Sequence, residues 1–153
     1  MTKLLSTFRD VKRIETSEIA HLDSLAFRKF RHAKVRAAFE VKLTTNYDNW
    51  HRVLVVVPQS YPLRAPAVYV LTHIPGQYVI AHIYGEDGRC CLFEKYGRDW
   101  NPKECDLVTI VSWAAMWLFC QEYFQRNGRW PAPESHRAKL RRRSRPSDAR
   151  RRR

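Results

Sequence analysis

The feature that most restricts the fold of this 153-residue chain is a run of five consecutive apolar residues, 53–57, four of which are valine. Branching at Cβ favours extended backbone, and a strand with no polar face has to be covered on both sides. Upstream, residues 37–45 alternate between apolar and polar side chains, which is typical of a half-buried strand. Residues 46–49 have turn chemistry. The sequence therefore predicts an antiparallel hairpin whose second strand, residues 50–57, is central to a sheet.

Downstream segments extend this hairpin. Pro58 ends the central strand, and residues 67–72 predict a third strand. Residues 106–125 give the clearest helical pattern, with Asp106 as N-cap and Gly128 as the stop. The apolar side of this helix comprises Leu107, Ile110, Val111, Ala114, Trp117, Leu118 and Phe124. We expect an α+β fold, a meander of three or four antiparallel strands with helices packed on one face.

A weaker helical pattern covers residues 16–30, where Ser17 is a candidate N-cap. The fold is expected to span about residues 8–136, within a domain assigned to residues 1–136. Residues 137–153 contain ten Lys or Arg and one Asp, so they carry +9 of the net charge of +13. A block of like charges repels itself and buries nothing, which predicts a disordered basic tail. That tail is either a docking segment for nucleic acid or an acidic partner, or simply a solvated end.

The sequence has no run of about 18 apolar residues, so we expect no membrane span. The first ten residues have neither the apolar core nor the small-residue cleavage site of a secretory signal. We therefore expect a cytoplasmic protein whose four cysteines are reduced thiols.

Residues 72–101 show no strong periodicity, and glycines and a proline interrupt them. A loop of this length in a compact domain is uncommon unless it is functional. It contains the adjacent cysteines Cys90 and Cys91. Cysteine is often only a small buried hydrophobe, but this pair follows a glycine turn, where a sulfur is reachable. Adjacent cysteines are poorly placed for one tetrahedral zinc, and we expect no metal. A protease-like pairing with His82 or His136 lacks any protease signature.

The order of motifs around this loop resembles that of ubiquitin-conjugating enzymes. Those enzymes carry Tyr-Pro-x-x-Pro-Pro, a strand ending in Thr, His-Pro-Asn, Gly-x-Ile-Cys-Leu and then Trp-Ser-Pro. The corresponding segments here are Tyr61-Pro62-Leu63-Arg64-Ala65-Pro66, a strand ending at Thr72, His82, Gly88-Arg89-Cys90-Cys91-Leu92 and Trp100-Asn101-Pro102. The resemblance covers residues 37–125 and implies the UBC fold, with Cys91 as the acyl-carrying nucleophile and Cys90 in the place of the preceding apolar residue.

The departures from this pattern concern the site. Six extra residues precede His82, and Ile83-Tyr84 replaces the usual Pro-Asn, so the usual oxyanion donor is missing. His82 or Tyr84 is expected to substitute for it. The resemblance also places Asp99 and Asn101 near Cys91, where they would orient an attacking amine.

The segment from Asn127 to His136 looks like the ending of bacterial conjugating-enzyme-like proteins from cyclic-oligonucleotide (CBASS) antiphage operons. Two alternatives remain open for this ending: His136 and Trp130 fold back over the site, or His136 is a surface histidine without a role. The resemblance implies that a cGAS-like nucleotidyltransferase C-terminus, or a ubiquitin-like modifier, forms a thioester and passes to an acceptor protein. A separate activating enzyme would supply any ATP-dependent step, since no nucleotide-binding glycine loop is present. No cofactor is implied.

Two other functions remain open from the residues. One is a catalytically weak adaptor that retains the fold as a binding module, which the missing asparagine favours. The other is a basic nucleic-acid-binding domain, which rests on the tail alone, because charge in the body forms no stripe.

Overall fold

The structure is a computed structural model, and it describes residues 10–19, 34–85, 87–93 and 99–132. The elements in chain order are β1 (Val11–Ile14), α1 (Thr16–Ile19), β2 (Val35–Thr44), β3 (Trp50–Pro58), β4 (Ala67–Val70) and α2 (Leu107–Asn127). Within these residues the strands form one sheet in the order β1-β2-β3-β4, and each neighbouring pair is antiparallel. The predicted α+β meander is confirmed.

Strand β3 is central because its side chains are buried on both faces of the sheet. Val53 and Val55 face α2, in one apolar cluster with Ile110 of the helix. Leu54 and Val56 face the opposite side, in a second cluster. All five residues from 53 to 57 are at most 4% exposed, and burial of such a side chain contributes about 1.5–3 kcal/mol. The run of apolar residues is thus the covered strand that the sequence predicts.

Helix α2 begins and ends as its local sequence predicts. The Asp106 side chain accepts a hydrogen bond from the Thr109 N–H at 2.9 Å, and the Thr109 hydroxyl accepts one from the Asp106 N–H at 3.2 Å. This reciprocal pair satisfies N–H groups that the first helical turn leaves free. Gly128 has φ 69° and donates to the Phe124 carbonyl at 2.8 Å, which closes the helix.

Length and composition alone would allow α2 to cross a membrane. Its apolar residues have a different explanation in this structure, because Ile110, Val111, Ala114, Trp117 and Leu118 are buried in the cluster shared with the sheet. Five of the seven residues of the predicted packing side are therefore confirmed, whereas Leu107 and Phe124 are only partly buried and lie outside this cluster.

Strand β4 ends at Val70, two residues before the predicted limit at Thr72. The reason is that the Arg52 N–H bonds the Thr72 hydroxyl at 3.3 Å rather than a strand carbonyl. Ser17 lies inside α1 instead of capping it. The remainder of the helix predicted over residues 16–30, the domain limit at residue 136 and the tail all lie outside the described residues.

Candidate active site

The described residues between β4 and α2 contain no helix or strand, as the sequence predicts, and a single bridge pairs Ile83 with Cys90. The turn closing this bridge is held by Tyr84 N–H to Arg89 O at 3.0 Å and Gly88 N–H to Tyr84 O at 2.8 Å. The Cys90 N–H bonds Val68 O at 2.8 Å. The cysteine-bearing segment is therefore attached directly to the outer edge of β4.

The two adjacent cysteines have different environments. Cys90 is 6% exposed and belongs to the core cluster with Val68 and Val70. Its burial, and after that the neighbouring Cys91, raises the pKa of the Cys90 thiol. A thiol of raised pKa is protonated and is a poor nucleophile. Cys91 is half-buried, and its Sγ lies 4.0 Å from the Phe93 carbonyl oxygen.

His82 holds the Cys91 backbone through its own carbonyl. That oxygen accepts hydrogen bonds from the Cys91 N–H at 2.8 Å and from the Trp117 Nε1–H at 3.0 Å. His82 has φ 51°, a left-handed conformation that is uncommon outside glycine. Its imidazole packs on the Trp130 ring, with 4.1 Å between centroids. The oxyanion role expected for the imidazole stays a prediction.

Tyr84 lies beside Cys91. Its hydroxyl donates to the Phe93 carbonyl at 3.4 Å, and the Cys91 thiol lies 4.0 Å from the same oxygen. The guanidinium of Arg89 covers the Tyr84 ring, 4.5 Å from its centroid. The structure thus brings together two of the predicted site residues through one shared acceptor.

Asp87 anchors the turn next to this pair. Its Oδ1 accepts the Arg89 N–H at 3.2 Å, and its Oδ2 accepts the Tyr69 hydroxyl at 3.1 Å. Burial, and after it the charge of Asp87, raises the pKa of the Tyr69 phenol. Tyr69 therefore stays a neutral donor, which fixes the turn to β4.

The segment that begins at Asp99 is tied to the proline loop. The Trp100 Nε1–H donates to Pro62 O at 2.8 Å, and the Tyr61–Pro62 peptide bond is cis. Asn101 uses its side-chain oxygen to accept the Lys103 N–H at 3.1 Å, which forms a local turn. Asp99 is exposed, and its carbonyl accepts the Cys105 thiol at 3.6 Å. The roles expected for Asp99 and Asn101 stay predictions, and His136 lies outside the described residues.

Sequence reasoning missed the polar residues of α2 that hold the loop. The side-chain amide of Gln121 bonds both the N–H and the carbonyl of Ala81. Gln125 Oε1 accepts the Tyr78 N–H at 2.8 Å. With Trp117 these residues recur every four positions, so they share one side of the helix. That spacing is the signal by which they could have been found.

A second missed group lies where the β2–β3 hairpin meets α2. His51 Nε2 lies 2.5 Å from Glu122 Oε1, and the Thr45 hydroxyl donates to Glu122 Oε2 at 2.7 Å. The other ring nitrogen of His51 lies 3.1 Å from the Thr72 hydroxyl. His51, Glu122 and Thr45 are buried, so their polar atoms need hydrogen-bond partners within the protein. The resulting bonds connect the β2–β3 hairpin to α2 and to Thr72.

Two cavities border the site. One of about 20 Å³ is lined by Val70, Ile83, Cys90 and Trp117, among others. The other, of about 50 Å³, is lined by Tyr84, Arg89, Leu92 and Phe93, among others. Both are far below the several hundred Å³ typical of a cofactor pocket. Within the described residues, no three His, Cys, Asp or Glu side chains are placed to hold a metal ion.

A search of the curated proteins and a search of the solved structures each returned no match. A family model described as type II CBASS E2 protein matches residues 14–137. The match includes β2, β3, β4, the cysteine loop and α2, and it confirms the resemblance to the bacterial conjugating-enzyme-like proteins of CBASS operons. The chain therefore belongs to the family of type II CBASS E2 proteins.

Proposed function

We propose that the protein is a ubiquitin-conjugating-like acyltransferase, which carries a protein C-terminus as a thioester on Cys91 and passes it to an acceptor. The observation that carries the proposal is the contrast within the cysteine pair. Cys90 is buried with a thiol of raised pKa, whereas Cys91 is half-buried at a loop attached to the sheet edge. An acyl-carrying thiol has to be reachable and able to ionise.

The reaction has two exchanges at one carbonyl carbon. The Cys91 thiolate attacks the activated C-terminal carbonyl, the new C–S bond forms, and the activating group leaves with its electron pair. An acceptor amine or thiol then attacks the thioester, the C–S bond breaks, and the sulfur leaves as thiolate while the acceptor loses a proton. A C-terminus that a separate enzyme has activated is the substrate of the first step.

Tyr84 and His82 are the residues we propose for the oxyanion. The Tyr84 hydroxyl supports this role best, because it and the Cys91 thiol approach the same Phe93 carbonyl, and its one donor would turn from that carbonyl to the oxyanion during the reaction. A donor aimed at the developing negative charge contributes about 10²–10³-fold in rate. Tyr84→Phe removes that donor and keeps the ring beneath Arg89. We expect slower transfer at an unchanged midpoint of thermal unfolding.

We propose a cGAS-like nucleotidyltransferase C-terminus as the acyl group, with a ubiquitin-like modifier as the second choice. The family match supports a role in a CBASS system, and the resemblance to the conjugating-like proteins of CBASS operons suggests this partner. The same resemblance implies that Asp99 and Asn101 orient the attacking amine of the acceptor.

The test is to incubate the protein with the partner and its activating enzyme and to follow the adduct by intact mass and by non-reducing electrophoresis. A thiol-labile adduct is expected for the natural protein. Cys91→Ala abolishes it, and Cys91→Ser yields an ester that resists thiols. Cys90→Ala is the matched control and retains the adduct. An adduct lost in Cys90→Ala and kept in Cys91→Ala would overturn the assignment.

The second candidate is an adaptor that binds the partner without forming a bond to it. The replacement of the usual Pro-Asn by Ile83-Tyr84 favours this function. Stable partner binding by both the natural protein and Cys91→Ala, with no thiol-labile adduct in either, would support the adaptor.

A further inference from the structure

The side of α2 that carries Trp117, Gln121 and Gln125 contacts the loop at three successive points. Gln125 accepts from Tyr78, Gln121 bonds Ala81, and Trp117 donates to His82. The helix therefore fixes the backbone of the loop directly ahead of the bridge that leads to the cysteines.

Gln121 makes the most complete of these contacts. It is 0% exposed, and its amide bonds both the N–H and the carbonyl of Ala81. A buried side-chain amide left without its hydrogen bonds is destabilising. The half-buried loop backbone at Ala81 therefore cannot turn away from the helix without leaving the buried Gln121 amide unpaired.

The next residue connects this contact to the site. His82 follows Ala81, has a left-handed φ of 51°, and directs its carbonyl at the Cys91 N–H, 2.8 Å away. A non-glycine residue holds such a backbone conformation only where its surroundings enforce it. Gln121 on the preceding residue and the Trp117 indole on the His82 carbonyl are two such enforcing contacts.

We propose that Gln121 is a positioning residue for the Cys91 thioester reaction, acting through the backbone of Ala81 and His82. This inference rests on the proposed function. Gln125 bonds the loop at Tyr78, four residues before His82, and its own Nε2 has no hydrogen-bond partner among the described residues. Loss of Gln121, which contacts the residue next to His82, should therefore slow thioester formation. Loss of Gln125, which contacts the loop farther from His82, should not.

The experiment compares Gln121→Met with Gln125→Met, two substitutions of the same chemistry one helical turn apart. A displacement of about 1 Å at a reacting group costs about 10²-fold in rate. We expect a fall approaching that size in the single-turnover rate of thioester formation for Gln121→Met, with an unchanged KM for the partner. Gln125→Met keeps a rate near that of the natural protein. Equal slowing in both variants, or slowing that follows the loss of thermal stability, would overturn the inference.

A third variant supplies a readout that loss of packing would not give. The carboxyl of Gln121→Glu both donates and accepts only while it is protonated, and burial raises the pKa of a carboxyl. The rate of Gln121→Glu relative to the natural protein should therefore fall as pH rises through that pKa, whereas the relative rate of Gln121→Met stays flat. A flat profile for Gln121→Glu would count against the inference.

Alkylation by iodoacetamide tests the positioning without any partner. Cys105 is half-buried in the segment before α2 and serves as the internal reference. The ratio of Cys91 to Cys105 alkylation, measured by peptide mass, should change in Gln121→Met and stay unaltered in Gln125→Met. An unaltered ratio in both variants overturns the inference even if the natural protein forms a thioester. If the ratio changes but the protein forms no thioester, Gln121 does position Cys91 and the proposed function is wrong.

Discussion

The two halves of helix α2 differ in that only the second half buries polar side chains beside its apolar ones. The first half places Ile110, Val111 and Ala114 against the valines of the sheet. The second half buries Gln121, Glu122 and Gln125, each at most 6% exposed. Apolar burial stabilises in proportion to area and has no direction, whereas hydrogen bonds contribute little net but prescribe geometry. Apolar burial in the first half therefore contributes mainly to stability, whereas the polar residues of the second half fix the position of the loop backbone that they contact.

The largest expected effect comes from breaking the buried group in the second half. Glu122→Ala leaves His51 and the Thr45 hydroxyl without their carboxylate. Removal of one partner from a buried pair costs about 3–5 kcal/mol, which urea denaturation followed by tryptophan fluorescence would measure.

The double variant His51→Leu with Glu122→Leu sharpens this result. Replacing both partners by apolar groups is often neutral, so the double variant should be more stable than Glu122→Ala. If the double variant loses as much free energy of unfolding as the sum of its single changes, these polar groups stabilise the fold by themselves. That result would contradict the contrast between the two halves of α2.

The matching change in the first half is Ile110→Ala, at a residue that is 0% exposed. Truncation of a buried isoleucine costs about 2–5 kcal/mol. Because this loss is not directional, the folded molecules should form the thioester at the rate of the natural protein. A rate reduced as far as that of Gln121→Met, measured well below the unfolding midpoint, would erase the distinction between the halves.

A smaller effect is expected at the start of the helix. The hydrogen bond from the Thr109 N–H lowers the pKa of Asp106. Asp106→Ala should lose about 1 kcal/mol, whereas Asp106→Asn retains an acceptor and most of the stability. Because the pKa is lowered on folding, this contribution is present above the ordinary value of 3.8 and is lost as pH falls below it. Acid denaturation that is identical in Asp106→Asn and the natural protein would exclude the carboxylate as its cause.

The smallest effect is expected for an exposed polar pair. Arg52 donates to both oxygens of Glu40, at 2.6 and 2.8 Å, and this bonding lowers the pKa of Glu40. The Arg52 side chain is half exposed, so Glu40→Gln should cost at most about 1 kcal/mol. The loss should shrink as pH falls below the ordinary value of 4.5, since the pair is then lost in the natural protein as well. A cost equal to that of Glu122→Ala would mean that burial is not what separates the two pairs.

The parts of the fold that local chemistry decides were predictable. Asp106 and Gly128 carry the signals that begin and end α2, and the valine run required a covered strand. The early end of β4 was not predictable, because it depends on a bond from Arg52 to Thr72, twenty residues away in sequence. The burial of Gln121 and Glu122 was not predictable for the same reason. A polar residue on a helix is usually solvated, and only the partners supplied by distant segments decide that it is buried.

In the site, local sequence placed the cysteine pair in a loop, and only the resemblance to conjugating enzymes distinguished Cys90, at an apolar position, from Cys91. The difference in their burial follows from the bond between the Cys90 N–H and the Val68 carbonyl, which draws Cys90 into the core. The pairing of Tyr84 with Cys91 at the Phe93 carbonyl also depends on how the bridge folds back. The assignment of Cys91 itself stays a prediction for the thioester experiment.

The same bond from Cys90 to Val68 has a consequence for how molecules of this protein meet one another. β4 is the last strand of the described sheet, and the outer strand of a sheet is a template on which another chain can add a strand. The Cys90 N–H occupies the Val68 carbonyl, so the segment that bears Cys91 also shields this border against edge-to-edge aggregation. Substitutions that detach the segment should therefore lower the solubility of the protein as well as change the surroundings of Cys91.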